Sequence, residues 1–221
     1  MLSENIYYAP ASGQVKKAVI MLHGYGSDGN DLISMAPQMA LPDTIFYAPN
    51  APYAMPQTAG YKWFDLMDEA ANTVYEQFSY VEKLMQNAKV ALPDVFDFIS
   101  HIAQKHQLEL NQVFVMGFSQ GGLLALMSAL IMPQKLAGAI GASSVPLMIN
   151  SALSLSEVKS KPDVLLTHGT DDDVVPFIGM QETLNTLKNI GCNVQTHIVD
   201  GMGHGIDMSS ERAMQSFVAA H

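Results

Sequence analysis

Six short apolar runs recur along the chain, each bounded by Gly, Pro or Asp: KAVIMLH (17–23), TIFYAP (44–49), QVFVMG (112–117), LAGAIGAS (136–143), DVLLTHG (163–169) and NVQTHIVD (193–200). Segments of helical spacing lie between them, at 30–40, 75–106, 120–131, 177–189 and 207–219. Several runs are apolar nearly throughout, which suits strands covered on both faces. The alternation therefore predicts an α/β fold built on a mostly parallel central sheet with helices on both faces. Pro37 and Pro93 are expected to shorten or kink two of the helices. In such a sheet the chemistry gathers beyond the carboxyl ends of the strands, so the residues that follow each run are the ones to inspect.

The 221 residues, 48% of them hydrophobic, suffice for one sizeable core, and a single domain over 1–221 is expected. No run approaches the roughly 18 to 20 apolar residues of a membrane span, and MLSENIYYAP lacks the layout of a signal peptide. The expectation is a soluble, cytoplasmic protein with no stable membrane insertion. Cys192 is the only cysteine, so no intramolecular disulfide is possible, and its place between a helix and a strand reads as structural. A formal net charge of −10 argues against nucleic acid or an anionic membrane as an electrostatically held partner.

GFSQGG (117–122) stands between the run QVFVM and the segment LLALMSALIM. G-x-S-x-G in this strand-to-helix context is the pattern of a nucleophile elbow. Its glycines remove side chains where a tight, strained turn would crowd them. The alternative is a helix start capped by Ser119. A serine hydroxyl attacks well only when a base takes its proton, so the elbow calls for a histidine oriented by a carboxylate. HGTDDDVVP supplies Asp171, Asp172 and Asp173 after one strand, and GMGHGID supplies His204 after the next, flanked by Gly203 and Gly205. His23 and His168 end strands, His197 alternates within one, and His101, His106 and His221 fall on helical or terminal positions; all six read as structural.

HGYGSDGND (23–31), WFD (63–65), GFSQGG, HGTDDDVVP and GMGHGID, in that order, resemble the phospholipase/carboxylesterase family of α/β-hydrolases, which includes the acyl-protein thioesterases. The resemblance implies an α/β-hydrolase fold with Ser119, Asp172 and His204 as the catalytic residues. It also places an oxyanion hole at the backbone N–H groups of Tyr25 and Gln120. HGYGSDGND contains G-x-G-x-x-G, which can also cradle a dinucleotide, but that reading wants an acid at the end of the next strand. TIFYAPNAP offers none. Two places depart from the family: Tyr25 stands where leucine is expected, and residues 66–87 do not follow the acyl-protein thioesterase pattern.

The segment between LAGAIGA and DVLLTHG is too short for a cap domain, so a fairly open groove is expected. Its walls would come from residues 53–67 and 145–149, with Trp63, Phe64, Val145 and Leu147 as candidate substrate contacts. The expected activity is hydrolysis of short to medium acyl esters or thioesters through an acyl-enzyme, with no metal or organic cofactor. The substrate would be a small-molecule or lipid acyl ester or thioester, or an acylated protein, and the enzyme a monomer or homodimer. The alternatives are a lysophospholipase or acyl-protein thioesterase and, in another class, a non-catalytic binding module on a hydrolase scaffold.

Overall fold

Residues 18–22 of β2 (Lys17–Leu22) and 113–116 of β6 (Val113–Phe118) are wholly buried, as strands covered on both faces must be. The computed structural model describes residues 2–55, 58–66, 76–149 and 152–221. Residues 56, 57 and 67 of the expected groove wall, residues 67–75 of the divergent 66–87 segment and the first residue of the helix expected from Tyr75 lie outside the described residues.

Seven strands form the main sheet in the order β1-β3-β2-β6-β7-β8-β9. Besides β2 and β6 these are β1 (Tyr7–Tyr8), β3 (Thr44–Tyr47), β7 (Gly138–Ala142), β8 (Asp163–Gly169) and β9 (Asn193–Val199). All neighbours pair in parallel except β1, which runs antiparallel to β3. A separate hairpin, β4 (Tyr53–Met55) with β5 (Gly60–Lys62), was not foreseen from the sequence, and neither was β1. Strand residues alternate between two cores. Ile20, Leu22 and Val115 pack with α3 (Glu76–Lys105) and α4 (Gln120–Ile131), whereas Val19, Met21, Phe114 and Met116 pack with Met214 and Phe217 of α6 (Met208–Ala220). Helix α5 (Phe177–Asn189) joins β8 to β9.

The helix expected over 30–40 is two short ones, α1 (Gly29–Ile33) and α2 (Ala36–Met39). Pro37 sits in the first turn of the second, where its missing N–H costs no helix bond. Pro93, by contrast, lies inside α3 without ending it. Residues 120–130 of α4 are all buried, so α4 is a central helix without a solvent face. Only residues 143–162 separate β7 from β8, and no cap domain is present among the described residues. None of the described helices is long and apolar enough to cross a membrane. Cys192 is 8% exposed within the core, and burial pushes its thiol up.

Strand order reverses around β2: the chain first adds β3 on one side of it, then returns to place β6 on the other. Leu22 pairs with Gly117, so the turns that follow β2 and β6 emerge side by side at the carboxyl edge, where this topology opens a crevice.

Candidate active site

Gly117 and Gly121 make the turn after β6 possible. A Cβ on Gly117 would fall onto the Gly121 carbonyl, and one on Gly121 onto the Leu22 carbonyl. Ser119 between them has φ 52° and ψ −113°, a conformation that costs a non-glycine residue free energy and persists because the packing imposes it. Ser119 occupies the N-cap position of α4, yet its side chain makes no capping hydrogen bond. The capping alternative therefore leaves its hydroxyl unexplained.

Asp172 and His204 come together from the ends of β8 and β9. The His204 Nδ1–H donates to Asp172 Oδ2 at 2.8 Å, which leaves Nε2 as the open acceptor on the imidazole. The other Asp172 oxygen, Oδ1, accepts the amides of Val174 and Val175 at 3.0 and 2.8 Å. Burial alone would raise the Asp172 carboxyl, but the bonds from His204, Val175 and Val174 together hold it below its ordinary value. Asp171 and Asp173 are exposed whereas Asp172 is 5% exposed, so geometry separates the three aspartates without recourse to any relative. The Phe118 ring lies 4.7 Å from that of His204, and Ser119, His204 and Tyr25 line one cavity of about 530 Å³.

The turn after β2 is tied down by His23, which is fully buried. Its Nε2 accepts the Ala51 N–H at 3.0 Å, so its Nδ1 carries the hydrogen and donates to the Gly24 carbonyl at 2.8 Å. Burial holds the His23 imidazole below its ordinary pKa, against the raising effect of the Gly24 bond. Across a trans peptide the N–H points opposite the C=O, so fixing the Gly24 carbonyl aims the Tyr25 N–H away from His23. A Cβ on Gly24 would lie 3.6 Å from Ser119 Cβ, which places this turn against the serine. Among the described residues, neither the Tyr25 nor the Gln120 N–H donates to a backbone acceptor. The remaining glycines of this turn differ: a Cβ on Gly29 would strike the Ala48 carbonyl, whereas Gly26 is uncrowded but holds φ 77°, a left-handed conformation, and donates its N–H to the Tyr61 carbonyl of the β4–β5 hairpin at 2.9 Å.

Three candidate substrate contacts need correction. Trp63 is 1% exposed and its indole N–H donates to the His23 carbonyl at 2.9 Å; it braces the site from behind. Phe64 is 5% exposed and its carbonyl accepts the Gln120 side-chain amide at 2.8 Å. Leu147 is wholly buried, with its N–H donating to Thr183 Oγ1 at 2.9 Å. Val145 is 7% exposed. It lines an apolar cavity of about 480 Å³ that reaches Ser119, with Leu66, Tyr80, Val81 and Leu84 on one side and Val174 and Ile178 on the other. The α5 side of this wall was missed. Its signal is VVPFI immediately after the three aspartates, where Val174 and Ile178 are 64% and 58% exposed. His168, expected to be structural, donates its Nε2–H to the Val175 carbonyl at 2.8 Å and lies 3.3 Å from Asp172 Oδ2, bracing the loop that carries Asp172.

The sequence profile of the phospholipase/carboxylesterase family matches residues 7–221. A probable carboxylesterase of Oryza sativa subsp. japonica is 30% identical over 223 residues, covering 96% of this chain and 80% of its own. Acyl-protein thioesterase 1 of Neurospora crassa is 28% identical over 229 residues, covering 95% of this chain and 88% of its own. The crystal structure of esterase PE8 superposes with a TM-score of 0.88 at 34% identity, covering 99% and 98% of the two chains. With the fold, the crevice and these likenesses in agreement, the chain belongs to the phospholipase/carboxylesterase family of α/β-hydrolases and is a hydrolase of the esterase and thioesterase kind.

Proposed function

We propose that the protein is a serine carboxylesterase that hydrolyses short to medium acyl esters or thioesters through an acyl-enzyme. Ser119 is the nucleophile, His204 the general base and acid, Asp172 the orienting carboxylate, and the Tyr25 and Gln120 amides the oxyanion hole. The observation that carries this reading is a serine held at φ 52°, capping nothing, in the same cavity as an imidazole fixed by a buried carboxylate at 2.8 Å.

In the first half-reaction Ser119 Oγ attacks the acyl carbon while its proton passes to His204 Nε2. The tetrahedral oxyanion is met by the two amides. When it collapses, the bond to the leaving oxygen or sulfur breaks and His204 returns the proton to that atom. A water then repeats the sequence on the acyl-enzyme and releases the carboxylic acid. Asp172 stays ionised throughout, holding Nδ1–H and stabilising the imidazolium.

The acyl-protein thioesterase of Neurospora crassa and the apolar cavity beside Ser119 support a second reading, with an acylated protein or a lysophospholipid as substrate. A non-catalytic binding module has less support, since serine, acid and histidine are all present and the last two are engaged. Labelling by a fluorophosphonate, lost in Ser119→Ala, is the expected result. Undiminished labelling of that variant overturns the reading. A panel of esters, thioesters and lysophospholipids separates the substrate classes.

A further inference from the structure

Two cavities open on either side of Ser119. One, of about 480 Å³, and the other, of about 530 Å³, share Ser119, Leu66 and Val174 among the described residues and otherwise have different walls. His204 lines only the second. On the reading of Ser119 and His204 given above, this asymmetry fixes which part of a substrate goes where. The imidazolium hands its proton to the departing oxygen or sulfur, so that atom and the group attached to it must lie on the His204 side. The acyl chain then takes the other cavity, whose walls beyond Ser119 are apolar apart from Tyr80 and Glu182.

The leaving-group cavity carries Asp31 and Glu211 on its walls, beside the hydroxyls of Ser27 and Ser34, and no lysine or arginine lines it among the described residues. Asp31 accepts a hydrogen bond from Ser27 Oγ. The positive ends of the adjoining helices do not offset these charges, because each is already capped: Asp28 accepts the Asn30 amide of α1 and Asp207 the Ser210 amide of α6. Lys62 is ion-paired with Asp65. The formal net charge of −10 adds a field of the same sign.

We propose that the departing group occupies the cavity under His204, and that the enzyme accepts acyl donors with a cationic leaving group in preference to anionic ones. The test uses three octanoyl thioesters whose thiols share a two-carbon spacer: thiocholine, N-acetylcysteamine and 2-mercaptoethanesulfonate, carrying positive, neutral and negative charge. Each kcat/KM is divided by the substrate's own rate of alkaline hydrolysis. The expected order is cation, neutral, anion, with the cation ahead of the anion by about tenfold at low ionic strength and by less as salt is raised. Asp31→Asn and Glu211→Gln should each reduce that ratio about two- to fivefold, while Glu182→Gln on the acyl side leaves it in place. A wild-type ratio within about twofold of unity overturns the proposal, and so does a ratio that responds to Glu182→Gln but not to the other two variants. Either result can occur with fluorophosphonate labelling at Ser119 intact. Labelling that survives Ser119→Ala overturns the catalytic reading instead.

Discussion

At the turn after β6, a single added carbon on Gly117 or Gly121 would collide with backbone, and Ser119 is forced into its unusual conformation by that crowding. Around His204, at the other end of the proposed proton path, a Cβ on Gly203 would meet nothing closer than 4.0 Å, and one on Gly205 nothing within 4 Å. One half of the site is positioned by packing, the other by hydrogen bonds. The main tether of the imidazole is its bond to Asp172, with the loop steadied by the Ser143 hydroxyl on the Gly205 carbonyl at 3.2 Å. Glycines that look alike in sequence therefore answer to different physics, and substitutions separate the two.

The largest effect is expected where a position rests on a hydrogen bond. Asp172→Asn should lower kcat by a thousandfold or more, about the loss expected when the imidazole is left in the wrong tautomer. Asp171→Asn and Asp173→Asn, both at exposed positions, should stay within a few-fold of wild type. Equal losses at all three would mean that Asp172 is not the orienting acid, and a small loss at Asp172 would mean that crowding, not this bond, holds the histidine. The packed half should answer in stability: Gly121→Ala is expected to cost about 3 kcal/mol or more, read from urea unfolding, because the obstructing atoms are backbone.

His23 sharpens the comparison, since it is a buried titratable group bonded into the turn on the packed side. His23→Asn should cost about 2 kcal/mol through the disturbed bonds to Gly24 and Ala51. Its lowered pKa also gives a sign. The unfolded chain takes up a proton near pH 6.5 that the folded protein resists, so stability is fully present above that pH and is lost as pH falls below it towards the folded value. His106, lowered chiefly by burial, acts in the same direction. The wild-type slope should therefore flatten, without vanishing, in His23→Asn. A slope that is unchanged would locate the titration elsewhere. The smallest effect is expected at Gly205→Ala, within about 0.5 kcal/mol of wild type in the same unfolding assay. A loss as large as that of Gly121→Ala would erase the distinction between the two halves.

Much of this architecture is legible in the sequence because parallel strands buried on both faces must be apolar nearly throughout. KAVIML and VFVM leave little room for another reading. The turns that follow such strands offer Ser119, His204 and three adjacent aspartates; only the family resemblance singles out Asp172 among the three, and the structure brings Asp172 and His204 into contact. What escaped depended on which face a side chain takes. Tyr7–Tyr8 is too short an edge strand to show a period. Trp63 and Phe64 sit in a block that belongs beside the site, but an apolar letter does not say whether it lines a groove or braces it from behind. The indole N–H settles this for Trp63 by reaching the His23 carbonyl. Leu147 and Val145 are two residues apart on an irregular segment, where no alternation tells inside from outside. The role of the Gln120 side chain is invisible for a similar reason: it accepts the Trp63 backbone N–H at 2.9 Å and donates to the Phe64 carbonyl, partners more than fifty residues away in sequence.

Trp63 is the chain's single tryptophan, and its place in that brace makes it a resident optical reporter. Its indole is bonded to the residue before Gly24, and its ring lies 5.3 Å from that of His23. Tryptophan emission therefore comes from one spot, immediately behind the turn that presents the Tyr25 amide. Loosening of that turn, by acid or denaturant, would register in the colour and intensity of the emission. The assembly of this corner can be followed in real time without a label.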